Sequence, residues 1–442
     1  IEGHAELARR RPDSYQRELA LQRSFECGEF SLLVRGRADG YDAGEGNIEE
    51  IKTTRVDPAN IPPAVTLLHE AQAKLYGGLL CSEQPEIEAL YIQVCYFNID
   101  SGCEDIVRQL YKREHLLAEL EQTVSVYVEW MRFIQGLRAQ RDASISGLVF
   151  PHVEYRAGQR EMAETVYKCI SQQGQLLLQA PTGIGKTAAV VYPAIKALES
   201  GKHDLFAFVT AKTVGARAVE ETLRLLQEQG LQLRSLTITA KEKVCFSPGS
   251  ACHGEDCIYA RGYYDRLPTA RKDALSGSAG LTRTVIENLA EEHRVCPYQL
   301  ASDLLAWVDA CIADIHHFYS FQAGIAARLE SWNKNWSILL DEAHNLPERA
   351  LGMFSASLSK SDLMGARREA SGPVRKALDG CNRQMLALNK LDWQEPDYKQ
   401  FEAAPTQLVM ALTQYVGAMT EQQAEAGAAQ VGESRLLAFY FS

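Results

Sequence analysis

The sequence predicts an α/β protein, with a parallel sheet in its central part and a smaller α/β region before it. Short apolar runs alternate with helical patterns from about residue 176 to 340, which is typical of strands buried in a parallel sheet. The segment "QAPTGIGKT" joins the first of these runs to a helix through closely spaced glycines. Strand-like runs and helices also alternate up to about residue 140. After residue 350 the chain is rich in Ala, Leu, Gln and Glu, which favour helices.

Composition limits the classes of function. The chain has 442 residues, enough for about three domains, and its net charge of −11 excludes a polycationic nucleic-acid coat but not a local basic groove. No apolar run approaches the roughly 18 residues that span a membrane. The eleven cysteines are irregularly spaced, which favours reduced thiols and a metal site over a disulfide framework. We therefore expect a cytoplasmic protein without a membrane partner.

Patterns in the N-terminal part of the sequence predict a domain over residues 1–140. A Gly-rich turn, "AGEG", separates two strand-like runs, and a proline precedes the first helix while a Gly-Gly pair near its end predicts where it stops. The predicted elements are strands at 31–42 and 47–54, a helix at 62–81, a strand within 88–100 and a long helix at 113–141.

Two carboxylates and a lysine lie on these first two strands. Strand alternation puts Glu50 and Lys52 on one face, and Asp39 comes from the neighbouring strand. Such carboxylates can bind Mg²⁺ or Mn²⁺, while the ammonium stabilises an attacking water and the phosphate charge. The alternative is a plain α/β domain whose surface carries ion pairs.

This D…ExK pattern resembles the PD-(D/E)xK nuclease core. Gln72 and Tyr76 lie four apart on one helix face and resemble the QxxxY motif of RecB-type nucleases. His4 resembles the additional metal-binding histidine of that branch; the alternative is a surface histidine. The resemblance implies a metal-dependent nuclease in which Gln72 and Tyr76 join the catalytic set and His4 joins the two carboxylates on the metal.

The segment that follows predicts a phosphate-binding loop. An apolar strand is predicted at 176–180, and its glycine-rich continuation opens a helix whose N-terminal N–H groups can surround phosphate oxygens. Lys186 supplies a charge and Thr187 a hydroxyl for Mg²⁺. The alternative is a fortuitous Gly-rich turn. The candidate nucleotide-binding residues here are Thr182, Gly183, Gly185, Lys186 and Thr187.

The run "SILLDEAH" supplies the partner of this loop. An apolar strand ends at Asp341 and Glu342. We expect Asp341 to hold Mg²⁺ and Glu342 to orient the water that attacks the terminal phosphate. The alternative is solvated charge at the end of a strand.

Four cysteines, Cys245, Cys252, Cys257 and Cys296, lie in an insertion at residues 241–300, between two predicted strands. Four thiolates suit either a [4Fe–4S] cluster or Zn²⁺. Their spacing differs from the paired CxxC loops of structural zinc sites, which favours the iron–sulfur cluster. Zinc and free thiols are the alternatives.

Aromatic and basic side chains follow the third of these cysteines. Tyr259, Tyr263 and Tyr264 are interleaved with Arg261 and Arg266. Such a segment predicts stacking on bases and contacts with phosphates. The alternative is a helix that packs its aromatic residues against its neighbours.

Together, "AxTGxGKT" and "DEAH" resemble superfamily 2 helicases. The four cysteines between them, with "CPYQLA" and "ACIADIHHF", resemble the XPD/DinG group of iron–sulfur helicases. "YRAGQ" resembles the adenine-contacting element of that group, which implies that Gln159 reads adenine, and "TAKTVGARAV" resembles its DNA-contacting motif Ia. The resemblance implies a RecA-like motor domain at 150–350 and a helical arch-like region at 351–442, with ATP, Mg²⁺ (or Mn²⁺) and a structural [4Fe–4S] cluster as cofactors.

The combined prediction is an ATP-dependent DNA helicase–nuclease for DNA repair or for processing DNA ends and flaps. The resemblance implies 5'-3' translocation on single-stranded or branched DNA. No "SAT"-like motif and no arginine-finger motif follow Asp341, so we expect the second motor domain to be absent from this chain. The alternative is a DNA nuclease whose ATPase-like half is a non-unwinding platform that binds DNA. The sequence predicts no particular protein partner.

Overall fold

The chain divides into two compact units, residues 1–136 and 137–442. The computed structural model describes residues 6–7, 9–12, 14–55, 57–181, 183–211, 213–250, 252, 254–277, 280–319, 324–391 and 399–426.

The first unit is built on a five-stranded sheet of order β1-β2-β3-β4-β5. Its elements are β1 Tyr15–Glu26, β2 Ser31–Asp42, β3 Asn47–Thr54, a 3₁₀ turn Pro58–Asn60, α1 Pro63–Glu83, β4 Ala89–Asn98, β5 Glu104–Lys112 and α2 Arg113–Ser146, which contains the point of division. Strands β3 and β4 pair in parallel because α1 connects them as a crossover, and the other pairs are antiparallel. The predicted strands at 31–42 and 47–54 are confirmed.

The turn between β2 and β3 has a local cause. The Oδ1 atom of Asp42 accepts hydrogen bonds from the N–H groups of Gly44 and Glu45, at 2.9 and 3.4 Å. Gly46 then adopts a φ of +56°, a conformation that suits glycine. This turn sets the β2–β3 register and with it the position of Asp39.

The sequence prediction that the Gly-Gly pair ends α1 is wrong. Gly77 and Gly78 lie inside α1, which continues to Glu83. A Cβ atom on Gly78 would lie 2.7 Å from the carbonyl oxygen of Leu116, and one on Gly77 would lie 2.7 Å from Cδ1 of Ile92. The two glycines therefore allow close packing of α1 against β4 and α2.

The second unit contains a four-stranded, wholly parallel sheet of order β7-β8-β6-β9. Its elements up to the last strand are α3 Gln159–Ser171, α4 Lys186–Glu199, β6 Leu205–Thr210, α5 Thr213–Glu228, β7 Ser235–Thr237, α6 Lys241–Val244, α7 Tyr263–Ser276, α8 Arg283–Glu292, α9 Pro297–Leu304, β8 Ala310–Asp314, α10 Ile315–Tyr319, α11 Ile325–Ser331 and β9 Trp336–Leu340. The predicted parallel sheet is confirmed, and the cysteine insertion lies between β7 and β8.

The predicted strand at 176–180 is wrong in this structure. These residues form no strand, and Leu177 is 94% exposed. Strand β9 is an edge strand of the sheet, and its residues are only half-buried. An apolar run becomes a strand only when its backbone groups pair with a neighbouring strand, and the composition of the run cannot supply that pairing.

After β9 the described chain is helical, as predicted. A 3₁₀ turn, Ala343–Asn345, leads into α12 Leu346–Met353, α13 Lys360–Glu369, α14 Gly372–Asn389 and α15 Thr406–Ala426. The last three share a small core around Leu363, Leu378 and Tyr415. Helix α15 reaches Ala426, the last residue that the structure describes.

Among the described helices, we find none with enough apolar length to cross a membrane.

Candidate functional site

Strands β2 and β3 separate at the predicted nuclease carboxylates. Their ladder begins at Asp42 and ends with Gly40 opposite Glu49. Beyond that pair, Oδ2 of Asp39 accepts a hydrogen bond of 2.7 Å from the N–H group of Ile51. A side-chain carboxylate therefore occupies the place where the ladder would continue, beside Glu50.

A chain of hydrogen bonds connects the other predicted nuclease residues. Nζ of Lys52 lies 2.6 Å from Oε1 of Glu50 and 3.0 Å from Oε1 of Gln72. Nε2 of Gln72 donates to the Tyr76 hydroxyl at 2.9 Å. The Tyr76 ring lies against Gly36, where a Cβ atom would come within 2.5 Å of the ring. The ExK and QxxxY motifs thus form one cluster.

The donor set of this cluster suits a divalent cation. Asp39 and Glu50 offer carboxylate oxygens, the ligands that Mg²⁺ prefers, and Mg²⁺ commonly takes one or two carboxylates plus water and substrate phosphates. His4 lies outside the described residues. Within the described part of the chain, no group of three or more His, Cys, Asp or Glu side chains is placed to hold a metal ion. The fit is to a two-carboxylate site that water and phosphate complete.

A buried network lies on the opposite face of β3, and sequence reasoning missed it. Glu49 is 1% exposed, and its Oε1 atom accepts from Nη2 of Arg11 and Nε2 of Gln93, both at 2.6 Å. Its Oε2 atom accepts from Nε of Arg11 at 3.0 Å and from the Tyr15 hydroxyl at 2.5 Å. The hydrogen bonds to Glu49 are the main cause that raises the pKa of Arg11. The segment before β1 is thereby fastened to β3.

We expect the Arg11→Met variant to lose about 3 kcal/mol in the free energy of unfolding of the first unit, because it leaves a buried carboxylate without its cation. Chemical denaturation monitored by circular dichroism measures this. The matched control is Arg10→Met. The Arg10 ion pairs are solvent-exposed, so its loss should be much smaller. Equal effects of the two substitutions would contradict this account.

The predicted phosphate-binding loop leads directly into α4. Gly183 and Gly185 both have a φ of +82°, and Gly185 is the N-cap residue of α4. Nζ of Lys186 donates to the carbonyl oxygens of Ala180 and Pro181, at 3.1 and 3.4 Å. Thr187 follows in the first turn of α4, and Thr182 lies outside the described residues. In this structure the lysine side chain therefore contacts the backbone of its own loop.

Gln159 contacts this loop directly. It is 1% exposed; its Nε2 atom donates to the carbonyl oxygen of Gly185 at 3.1 Å, and its Oε1 atom accepts from the N–H group of Arg156 at 3.0 Å. Both ends of its amide are bonded to backbone here, so a contact with adenine would replace one of these bonds. Its role as the adenine reader stays a prediction.

The acidic pair lies at the carboxyl end of β9. The N–H group of Asp341 donates to the carbonyl oxygen of Val209 on β6 at 2.9 Å. Glu342 follows with a φ of +53°, and its Oε2 atom lies 3.4 Å from Nε2 of His344. A Cβ atom on Gly215 of α5 would lie 3.0 Å from Oδ2 of Asp341. The motif Ia segment therefore packs against the predicted Mg²⁺ ligand.

Three of the four predicted cluster cysteines lie around one lysine. The neighbouring Cys252 thiol, and then those of Cys245 and Cys296, raise the pKa of Lys241. A cation at this place would offset the negative charge that thiolate ligands bring to a metal.

Cys296 begins α9. It is the N-cap residue of that helix and makes no side-chain capping hydrogen bond, and burial raises the pKa of its thiol. Cys257 lies in a turn, and its carbonyl oxygen accepts from the N–H groups of Ala260 and Arg261. The described residues include all four cysteines, but no group of three or more possible ligands among them is placed to hold a metal ion, so the iron–sulfur cluster stays a prediction.

The tyrosines of the insertion divide into two groups. Tyr263 is buried, and its hydroxyl lies 2.8 Å from Oδ2 of Asp303. The prediction that it stacks on bases therefore fails for this residue. Tyr259 packs edge-on against Phe246. Tyr264 is 74% exposed and keeps the predicted role.

A glycine-rich loop that opens a helix, with an Asp-Glu pair at the carboxyl end of a parallel strand, defines the class of P-loop nucleoside triphosphatases. Comparison with known families narrows the class. The DEAD/DEAH box helicase model matches residues 156–248, and the DEAD_2 model matches residues 217–363. By these matches, residues 156–363 are similar to superfamily 2 helicases of the XPD/DinG type.

Individual relatives are similar over the same part. A probable ATP-dependent helicase of Methanocaldococcus jannaschii is 25% identical over 45% of this chain and 29% of its own length. A regulator of telomere elongation helicase 1 homolog of Anopheles gambiae and the XPD helicase subunit of factor IIH of Arabidopsis thaliana are each 21% identical over 52% of this chain, and over 28% and 34% of their own lengths. The chain thus spans about a third or less of these relatives.

Solved structures also match this chain. One described as an XPD helicase aligns with a TM-score of 0.41 at 16% identity, over 66% of this chain and 51% of its own. A truncated XPD aligns with a TM-score of 0.40 at 17% identity, over 63% and 80% of the two chains.

Proposed function

We propose that this chain combines an ATP-dependent DNA motor with a metal-dependent DNA nuclease. The observation that carries the nuclease half is the continuous set of contacts from Glu50 through Lys52 and Gln72 to Tyr76, beside Asp39 at the strand fork. A plain α/β domain with surface ion pairs does not require this, because Glu50 is only 4% exposed. The ExK and QxxxY motifs, which lie apart in the sequence, are thus joined by hydrogen bonds in one cluster.

Each nuclease residue has a physical role in this proposal. Asp39 and Glu50 would hold Mg²⁺ or Mn²⁺, and the ion supplies charge neutralisation on the scissile phosphate. Lys52 is held by two oxygen acceptors, so its ammonium group is oriented before substrate arrives. Gln72 is held in turn by Tyr76, which keeps the lysine's second acceptor in place. Cleavage of single-stranded or branched DNA is the proposed activity.

For the motor half, we propose that Lys186 leaves the loop carbonyls and contacts the ATP phosphates. Thr187 and Asp341 would hold Mg²⁺, and Glu342 would orient the attacking water. By analogy with its family, the direction of movement on DNA would be 5'-3'. The cysteine insertion would hold a [4Fe–4S] cluster with a structural role, because its thiols are the soft ligands that such clusters use.

We expect Lys186→Ala to weaken binding of an ATP analogue by about ten- to a hundredfold, because a charge-assisted contact contributes about 1.5–3 kcal/mol. Titration calorimetry of the whole chain with Mg²⁺ measures this. Lys202→Ala is the control, since Lys202 is exposed in the same unit. An unchanged affinity would place nucleotide elsewhere and favour the alternative, a nuclease whose ATPase-like half only binds DNA.

A further inference from the structure

A histidine that the nuclease motifs do not include lies beside their cluster. Nδ1 of His69, on α1, lies 3.1 Å from the hydroxyl oxygen of Tyr96, on β4. Tyr96 is the register partner of Lys52 on β3, so both side chains point to the same face of the sheet. One helical turn after His69, Gln72 contacts that same Lys52. Two independent connections therefore place His69 next to Lys52.

The surroundings of His69 favour a neutral ring. Burial, and then the Lys52 ammonium, lower the pKa of His69 below its ordinary value of 6.5. The groups that face it are Lys52 from β3 and the hydroxyl of Tyr96 from β4, and the pKa of Tyr96 is raised by burial. In the tautomer whose Nδ1–H donates to the Tyr96 oxygen, Nε2 carries the lone pair, and this is the tautomer that a proton acceptor at Nε2 requires. Nε2 has no hydrogen-bond partner among the residues that the structure describes.

Lys52 is poorly suited to accept a proton. Its Nζ atom donates to Glu50 and Gln72, and an ammonium group has no lone pair. Hydrolysis of a phosphodiester needs a group that takes a proton from the attacking water. We propose that His69 is this proton acceptor and that Tyr96 is the residue that positions it. The inference rests on the proposed nuclease function and assigns a role within that same site.

The water oxygen forms a bond to phosphorus, and one water proton passes to Nε2 of His69. The P–O bond to the leaving sugar breaks, its electron pair stays on the sugar oxygen, and that oxygen takes a proton from bulk water. The imidazolium then returns its proton to solvent, and His69 is neutral again.

The test compares His69→Gln with His115→Gln in the whole chain with Mn²⁺ and a single-stranded DNA. His115 is an exposed histidine on α2 of the same unit, paired with Glu119. We expect His69→Gln to lower kcat about a hundredfold, the lower end of the usual contribution of a general base, with KM nearly unchanged. Below pH 6.5 the wild-type rate should fall as His69 gains its proton, and His69→Gln should lose this pH dependence. His115→Gln should behave as wild type.

Two further measurements distinguish a failure of the His69 assignment from a failure of the nuclease proposal. In metal-free protein, NMR titration should give His69 a pKa below 6.5, and Tyr96→Phe should change that pKa and lower kcat by less than His69→Gln. A wild-type protein that cleaves no DNA would overturn the nuclease itself. Cleavage by wild type with an unchanged pH profile in a folded His69→Gln protein would overturn only the role of His69.

Discussion

The Glu50→Gln variant should cleave DNA at least about a thousandfold more slowly than wild type. The substitution keeps the shape of the side chain but removes the charge that the metal ion and Lys52 both need, and such electrostatic contacts contribute several kcal/mol to transition-state stabilisation. Mn²⁺-dependent cleavage of single-stranded and branched DNA, followed under single-turnover conditions, measures the loss. We expect ATP binding to be unchanged, because the phosphate-binding loop belongs to the other unit.

Glu45→Gln is the control for this variant. Glu45 is an exposed carboxylate close by in the β2–β3 turn, where it pairs with Arg108. It should retain full activity, because solvent screens its ion pair. If a folded Glu50→Gln protein cleaves DNA as fast as wild type, the PD-(D/E)xK assignment is wrong, whatever the fold of the unit.

The second large effect should follow Cys252→Ser, which we expect to abolish iron binding. Wild type should carry about four irons per chain if it holds a [4Fe–4S] cluster. A serine hydroxyl is harder and ionises less readily than a thiol, so it is a poor ligand for such a cluster. Iron analysis of anaerobically purified protein measures the loss, and Cys103→Ser, at an exposed cysteine of the first unit, should keep its iron.

Loss of the cluster should affect the insertion first. The long loop from Cys257 to Cys296 would be closed by the metal, so its removal frees that loop to open. The parallel sheet has its own buried core around Phe206, Phe208 and Ile312, so nucleotide binding should persist while DNA affinity falls. Wild-type protein with stoichiometric zinc, or with no metal, would reject the cluster.

Local spacing in the sequence determined much of the nuclease site. On a strand, Glu50 and Lys52 must share a face, and on a helix Gln72 and Tyr76 must do so. These relations need no knowledge of the rest of the fold. His69 lies three residues before Gln72 and so shares the helix face of the QxxxY pair, but this spacing alone does not place it beside Lys52. Its position became evident only from the β3–β4 register, which places Tyr96 opposite Lys52.

By itself, the sequence determined the two motif sets, the α/β class and most strands of the parallel sheet. Apolar runs and turn residues act within a few positions, so each run predicts its own element. Strand order and pairing are decided between distant segments. Only the tertiary structure shows that residues 176–180 form no strand and that Glu49 is buried among Arg11, Tyr15 and Gln93. The physical reason is that burial and pairing depend on partners far away in the chain, which local patterns do not identify.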